Sequence, residues 1–160
     1  MKIHVCAVGR MKAGPDKELA DRYFDRFGKT GVSLGLELGG LVELPESRAQ
    51  STSERQGDEA ERLSAQFPAG AALILLDERG KNLSSQQFAE RLAVLRDQGT
   101  KALAIVIGGP DGHTEAMRQR AGLLLSFGAM TWPHQMVRIM LGEQLYRAAT
   151  ILSGHPYHRA

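Results

Sequence analysis

Two uninterrupted apolar runs, AALILL over residues 71–76 and ALAIVI over residues 102–107, constrain this chain more than any other feature. A strand that is apolar at every position has both faces covered, which calls for a parallel sheet with helices on either side. Ser84 and Gln87 form a capping-box pattern between the two runs, followed by Phe88, Leu92 and Leu95 at helical spacing. Strand, helix, strand is the unit of an α/β fold, and the rest of the chain repeats it.

Residues 2–8 are apolar on both faces and predict a central strand. Gly14, Pro15 and Asp16 open a helix, with Leu19, Ala20, Tyr23, Phe24 and Phe27 as its inward stripe. Residues 33–44 alternate. Leu34, Leu36, Leu38, Val42 and Leu44 share one face with Gly40, and Glu37 and Glu43 lie on the other, as in a half-exposed edge strand. A polar, mobile connection over 46–58 leads into a helix, with a second capping-box pair at Ser51 and Glu54 and with Ala60, Leu63 and Phe67 inward. Thr114 caps a short helix, residues 122–127 form a further strand, and a last helix runs over 134–153. Val137, Leu141, Leu145, Ala148 and Leu152 make its apolar stripe, widened by Met136, Met140 and Ile151. That arc exceeds what one sheet contact needs and predicts burial on two sides, one against another subunit.

The 160 residues fit one domain, residues 1–160, able to bury a core without staples. Cys6 is the only cysteine, so no internal disulfide forms, and its place in an apolar strand predicts a buried, inert thiol. The N-terminal MKIHVCAVGR reads as a strand rather than a secretory leader, and no apolar run reaches membrane-spanning length. The chain is therefore expected in the cytoplasm, with no membrane partner. Net charge is only +2, yet from Pro133 onward there are three arginines, three histidines and a single acid, Glu143. A polyanion is expected to approach that end.

In open α/β sheets ligands bind beyond the carboxyl ends of the strands. Three segments meet that rim: residues 76–81 (LDERGK), 108–112 (GGPDG) and 128–133 (GAMTWP). Glycines admit a ligand close to the backbone, although GGPDG alone reads first as a tight turn. Neither a GxGxxG nor a GxxxxGK[ST] motif occurs, and no HExxH, CxxC or GxSxG supports a metal site or a hydrolytic triad. Glu143 and Arg147 suit a helix ion pair as well as a functional one, Asp77 suits a turn cap, and His134 suits a helix start as well as a proton carrier.

The order LDERGK, IGGPDGH and TWPHQMVRIMLGEQLYRAATILSGHPYHR, together with the N-terminal KIHVCAVGR, resembles the bacterial family of 23S rRNA pseudouridine N3-methyltransferases of the SPOUT superfamily. The most specific part is the last segment, with PHxxxR, EQLYRA and the terminal PYHR. The resemblance implies a C-terminal trefoil knot in roughly residues 70–160 and S-adenosylmethionine as cofactor. It implies cofactor contacts from Leu76, Gly109, Gly128, Ala129, Met130, Thr131, Trp132 and Pro133, with Ile107 as a further apolar wall. Gly128 stands where the family often has serine, and Trp132 where phenylalanine is common. It further implies a homodimer that acts on ribosomes, with no DNA partner, and assigns Arg147, Tyr157, His158 and Arg159 to the target base or its phosphates. Glu143 and His158 are the candidate proton acceptors. The rival readings are a methyltransferase of the same superfamily for another RNA base, a non-catalytic ribosome-binding protein, and a nucleotide-binding metabolic enzyme using the GGPDG loop.

Overall fold

The computed structural model describes residues 1–159. Its frame is one five-stranded sheet in the order β2-β1-β4-β3-β5, with every neighbouring pair parallel. The strands are β1 (Lys2–Val8), β2 (Glu37–Leu44), β3 (Ala72–Asn82), β4 (Ala102–Ile107) and β5 (Leu123–Ser126). The helices are α1 (Pro15–Gly31), α2 (Thr52–Ser64), α3 (Ser85–Asp97), α4 (Glu115–Arg120) and α5 (His134–Ser153). β4 is the middle strand and is buried at every position, while β1 lies beside it.

Successive side chains of a strand point to opposite faces, and the two cores follow that rule. Ile3, Val5, Ala7, Ile74, Leu103, Ile105 and Ile107 face a layer made by α1, α3 and α5. Cys6, Val8, Leu73, Leu75, Ala104 and Val106 face Leu63 of α2 and Met117 of α4. Burial pushes the Cys6 thiol up to about 11, which keeps it protonated and inert. Both capping boxes form: the Ser51 and Ser84 hydroxyls accept from the amides of Glu54 and Gln87, whose side chains reach back to the cap amides. Thr114 caps α4 in the simpler way, accepting from the Met117 amide.

Strand β2 departs from its alternating pattern. Ile3 pairs with Leu38, but His4 pairs with Gly40, so Gly39 is an extra residue in the strand. A side chain on Gly39 would meet the His4 ring at 2.6 Å, and Gly40 takes a φ of 144° that other residues rarely adopt. The bulge inverts the rest of the strand. Leu38 and Leu41 pack on the α1 side, whereas Val42 and Leu44 join the opposite core. The five apolar residues expected on one face are thus divided between two. Glu43, expected to face solvent, instead turns toward α5, where Arg138 donates to its Oε2 at 2.6 Å.

The far edge carries a second irregularity. Leu125 of β5 pairs with Leu76 and again with Lys81, so the chain leaves β5 after Leu76 and returns to it five residues later. Gly80 sits in that excursion. A Cβ there would lie 2.6 Å from the main-chain carbon atoms of both Leu124 and Leu125. Replacing Gly80 by alanine therefore forces backbone apart. The expected result in urea denaturation is a loss of about 1–3 kcal/mol, the usual cost of overpacking, and an unchanged midpoint would contradict this placement of residues 77–80.

Candidate functional site

Because all strands run the same way, the segments that follow them emerge on one rim. Those following β3, β4 and β5 enclose a cavity of about 290 Å³, a little under the common size range of small-molecule sites. Leu76, Ile107 and Leu125 form its apolar base at the strand ends. One wall is the 108–112 glycine turn and the other is the 126–134 segment, with Met130, Thr131 and Trp132. Six of the eight expected cofactor residues line it: Leu76, Gly109, Gly128, Met130, Thr131 and Trp132. Ala129 and Pro133 belong to the same segment but do not line the space, and Pro133 serves as the N-cap residue of α5.

Charged groups brace this cavity from behind. Asp77 is buried; its Oδ1 accepts from the Arg79 amide at 2.9 Å and its Oδ2 from Arg118 Nε at 2.7 Å. Burial alone would raise the Asp77 pKa, but the Arg79 amide and the Arg118 guanidinium outweigh it and hold the carboxyl below its usual range. The expected turn cap is therefore present, with an ion pair added. His113 is also buried and contacts the Leu76 carbonyl through Nε2 at 3.0 Å. A carbonyl only accepts, so Nε2 carries the proton, and burial keeps the ring neutral by lowering its pKa. The GGPDG turn is tied down from outside. Arg55 of α2 donates to both Asp111 carboxylate oxygens, and the Gln56 amide donates to the Asp111 carbonyl at 2.6 Å.

The opposite wall has lighter bracing. The Ser126 hydroxyl donates to the Gly128 carbonyl at 3.0 Å and accepts from the Gly128 amide at 3.2 Å, while Gly128 takes a φ of 117° with open space where a side chain would be. The departure from serine at this position therefore removes a hydroxyl but suits the backbone. Met130 is 76% exposed. His134 opens α5 and lines the cavity, so its side chain belongs to the site.

None of Arg147, Tyr157, His158 and Arg159 lines the cavity. Arg147 Nε donates to Glu143 Oε1 at 2.9 Å, the Tyr157 hydroxyl donates to the same oxygen at 3.1 Å, and Arg147 Nη1 lies 3.2 Å from His158 Nδ1. The Arg147 guanidinium also stacks 4.9 Å over the Tyr157 ring. Glu143 is thus fully engaged, which favours the plain ion-pair reading of that residue and argues against its acting as a proton acceptor. The guanidinium can only donate, so His158 Nδ1 accepts, and a neutral ring then carries its proton on Nε2. Arg159 is exposed. From His134 to Glu143 the helix rises about 13 Å, at roughly 1.5 Å per residue. One copy of the chain therefore holds the cavity and the tail cluster apart. Arg138, counted in the cationic end, is not available to a polyanion at all: it is 2% exposed and bonded to Glu43 and to the Gly9 carbonyl.

Asp77–Arg118 and His113–Leu76 are the site contacts that sequence reasoning did not assign. Histidine directly after the glycine turn was their one visible sign. Among the described residues no cluster of metal-ligating side chains occurs, and no helix is long and apolar enough to cross a membrane.

Late glycine loops closing a cavity over a parallel sheet define an α/β protein with a small-molecule-sized site at its strand ends. The family described as "Predicted SPOUT methyltransferase" matches residues 1–158, and the chain belongs to that family. Its relatives include the Ribosomal RNA large subunit methyltransferase H of Mesorhizobium japonicum, 66% identical over the whole of both chains. Proteins of the same name from Brucella anthropi and Chelativorans are 59% and 60% identical, covering 100% and 99% of this chain and 100% and 91% of their own. Among solved structures, the SpoU methyltransferase AviRb from Streptomyces viridochromogenes in complex with AdoMet aligns at a TM-score of 0.40 and 14% identity, over 96% of this chain and 61% of that one.

Asp77 gives a test with a definite sign. A carboxyl whose folded pKa lies below its unfolded value of about 3.9 adds stability above that pH, and the gain is lost as pH falls through the folded value. Asp77→Asn removes one partner of a buried pair and should cost about 3–5 kcal/mol at neutral pH. The gap between variant and wild type should narrow below about pH 4, and urea titrations from neutral to acid pH would reveal it.

Proposed function

We propose that this chain transfers the methyl group of S-adenosylmethionine to N3 of a pseudouridine in 23S rRNA, on assembled ribosomes in the cytoplasm. The observation that carries the reading is the meeting of the three late loops on one cavity, in a chain that matches large-subunit rRNA methyltransferases along its full length. The residues present fit the cofactor. Leu76, Ile107, Met130 and Trp132 offer apolar walls, and Gly109, Gly128 and Thr131 offer main-chain donors and acceptors. When bound, the cofactor supplies a methyl group on a sulfonium centre.

The chain's own part is to hold the base and stabilise its charge. Loss of the N3 proton leaves negative charge on the base, which the Arg147 guanidinium and Arg159 would stabilise in a site screened from water. Tyr157 and His158 would position the ring, which brings N3 into line with the donor. Arg147 and Tyr157 engage Glu143, and Arg147 also engages the His158 Nδ1 lone pair, so the N3 proton leaves without a side-chain acceptor in this arrangement.

The tail and the cavity of one copy lie apart, so this reading includes a homodimer in which each tail serves the partner's cavity. The exposed Met130, Trp132 and Met136 beside the start of α5 support such a contact. It also includes one domain with a trefoil knot in roughly residues 70–160, which membership of the SPOUT methyltransferase family supports.

Labelled S-adenosylmethionine offered with ribosomes, free rRNA and tRNA should transfer label to ribosomes far above the others. Transfer to tRNA instead, or cofactor binding with no RNA methylation, would remove the assignment. Arg159→Ala should lower transfer at least tenfold, a loss of about 1.4 kcal/mol of transition-state stabilisation, while circular dichroism and thermal melting stay unchanged. Mixing it with a cavity variant such as Gly109→Val should restore part of the activity, because half of the sites in mixed dimers are intact. No restoration would rule out sharing across the dimer.

A further inference from the structure

Three carboxylates of the cavity rim are turned inward, and each holds the backbone of a loop that presents a cation outward. Glu43 Oε2 accepts from the Met11 amide at 2.6 Å, while its partner Arg138 donates to the neighbouring Gly9 carbonyl at 2.9 Å. Between and beside these two pinned residues stand Arg10 and Lys12, both exposed. Glu59 is buried, and its Oε1 accepts from the Ser47 amide at 2.9 Å, next to exposed Arg48. Asp77 holds the amide of Arg79 itself, whose side chain is exposed at the edge of the cavity.

All three loops follow parallel strands, so they stand on one rim. The segments 9–13, 45–50 and 78–81 expose five cations, Arg10, Lys12, Arg48, Arg79 and Lys81, against two acids, Glu46 and Glu78. None of the five cations makes an ion pair among the described residues. Beside this rim Asp111 is paired with Arg55 and Asp58 with Arg62, while exposed Glu54 shares a surface depression with Arg48 and offsets part of its charge. A set of unpaired cations on pinned backbone is suited to a polyanion with regularly spaced charges, since the loops that carry them are already ordered before binding.

Resting on the functional reading above, we infer that Arg10, Lys12, Arg48, Arg79 and Lys81 form a phosphate track, along which the rRNA backbone lies as it approaches the cavity. The net charge of +2 does not reveal this track, because it averages these cations with acids exposed elsewhere, such as Asp21 and Asp25 of α1. It places RNA contacts in the N-terminal half of the chain, well away from the cationic tail.

The test measures ribosome binding against salt concentration for wild type, for Arg10→Ala combined with Lys12→Ala, and for Arg48→Ala. Lys2→Ala with Lys101→Ala, at the opposite ends of β1 and β4, is the control. Each phosphate contact contributes about 0.7–0.9 to the slope of log affinity against log salt. The double variant should lose about 1.4–1.8 from that slope and raise the KM for ribosomes about tenfold at moderate salt, with kcat and the affinity for S-adenosylmethionine unchanged. Arg48→Ala should lose about half as much slope, and the control should match wild type. An unchanged slope in the rim variants, or an equal loss in the control, overturns the track. Normal binding of the rim variants to protein-free 23S rRNA combined with weak binding to ribosomes also overturns it, since the cations would then face ribosomal protein. Should wild type itself neither bind nor methylate ribosomes, the functional reading falls and the track with it. Wild-type activity with rim variants that keep their full slope removes the track alone.

Discussion

The guanidinium of Arg138 is the joint on which the site side of this protein depends. It projects from the first turns of α5 into a space between β1, β2 and α5, where it reaches Glu43 and the Gly9 carbonyl. Burial lowers the pKa of Arg138, with Glu43 opposing part of that effect. A group so far from water holds its charge only because its partner and the carbonyl are in place, and removal of either would leave a bare ion in the core. Its Nε finds no partner, so the arrangement is not optimised for stability alone. What it accomplishes is geometric. One residue ties the helix that leads out of the cavity wall to the first strand and to the edge strand at once.

The same pattern recurs at smaller scale around the rim. Asp77 joins β3 to α4 through Arg118, Arg55 joins α2 to the glycine turn, and His113 fastens that turn to the end of β3. Each contact links a loop to an element that is itself packed against the sheet. Loops are ordinarily the most mobile parts of a fold, and here polar side chains on rigid elements supply the order that apolar packing cannot reach. The arrangement costs desolvation at every step and yields a cavity edge whose backbone is already held in place.

Most of the architecture was legible in the sequence because it rests on local or periodic signals. Two strands with no polar position could only lie inside a parallel sheet. The caps at Ser51, Ser84 and Thr114 depend on residues three apart, and α5 formed over the expected residues because its apolar arc is continuous. What escaped was whatever depends on distant partners. The bulge at Gly39 is fixed by the His4 ring on the neighbouring strand, and this one extra residue reversed the faces of Val42, Leu44 and Glu43. Arg138 looked like part of a cationic surface because its acid lies 95 positions away in the chain. The cavity residues were found from the order of the glycine loops and from family resemblance. Their separation from the tail became visible only once the length of α5 was laid out in space.

The unequal fastening of the two cavity walls has a consequence for how anything gets in. The 108–112 turn is riveted to α2 through Arg55 and Gln56 and to β3 through His113. The facing segment has one serine hydroxyl at its base and a methionine standing almost free in solvent. Entry past the Met130 flank would therefore disturb fewer polar contacts than entry past the glycine turn, which makes the turn the fixed jamb of the doorway.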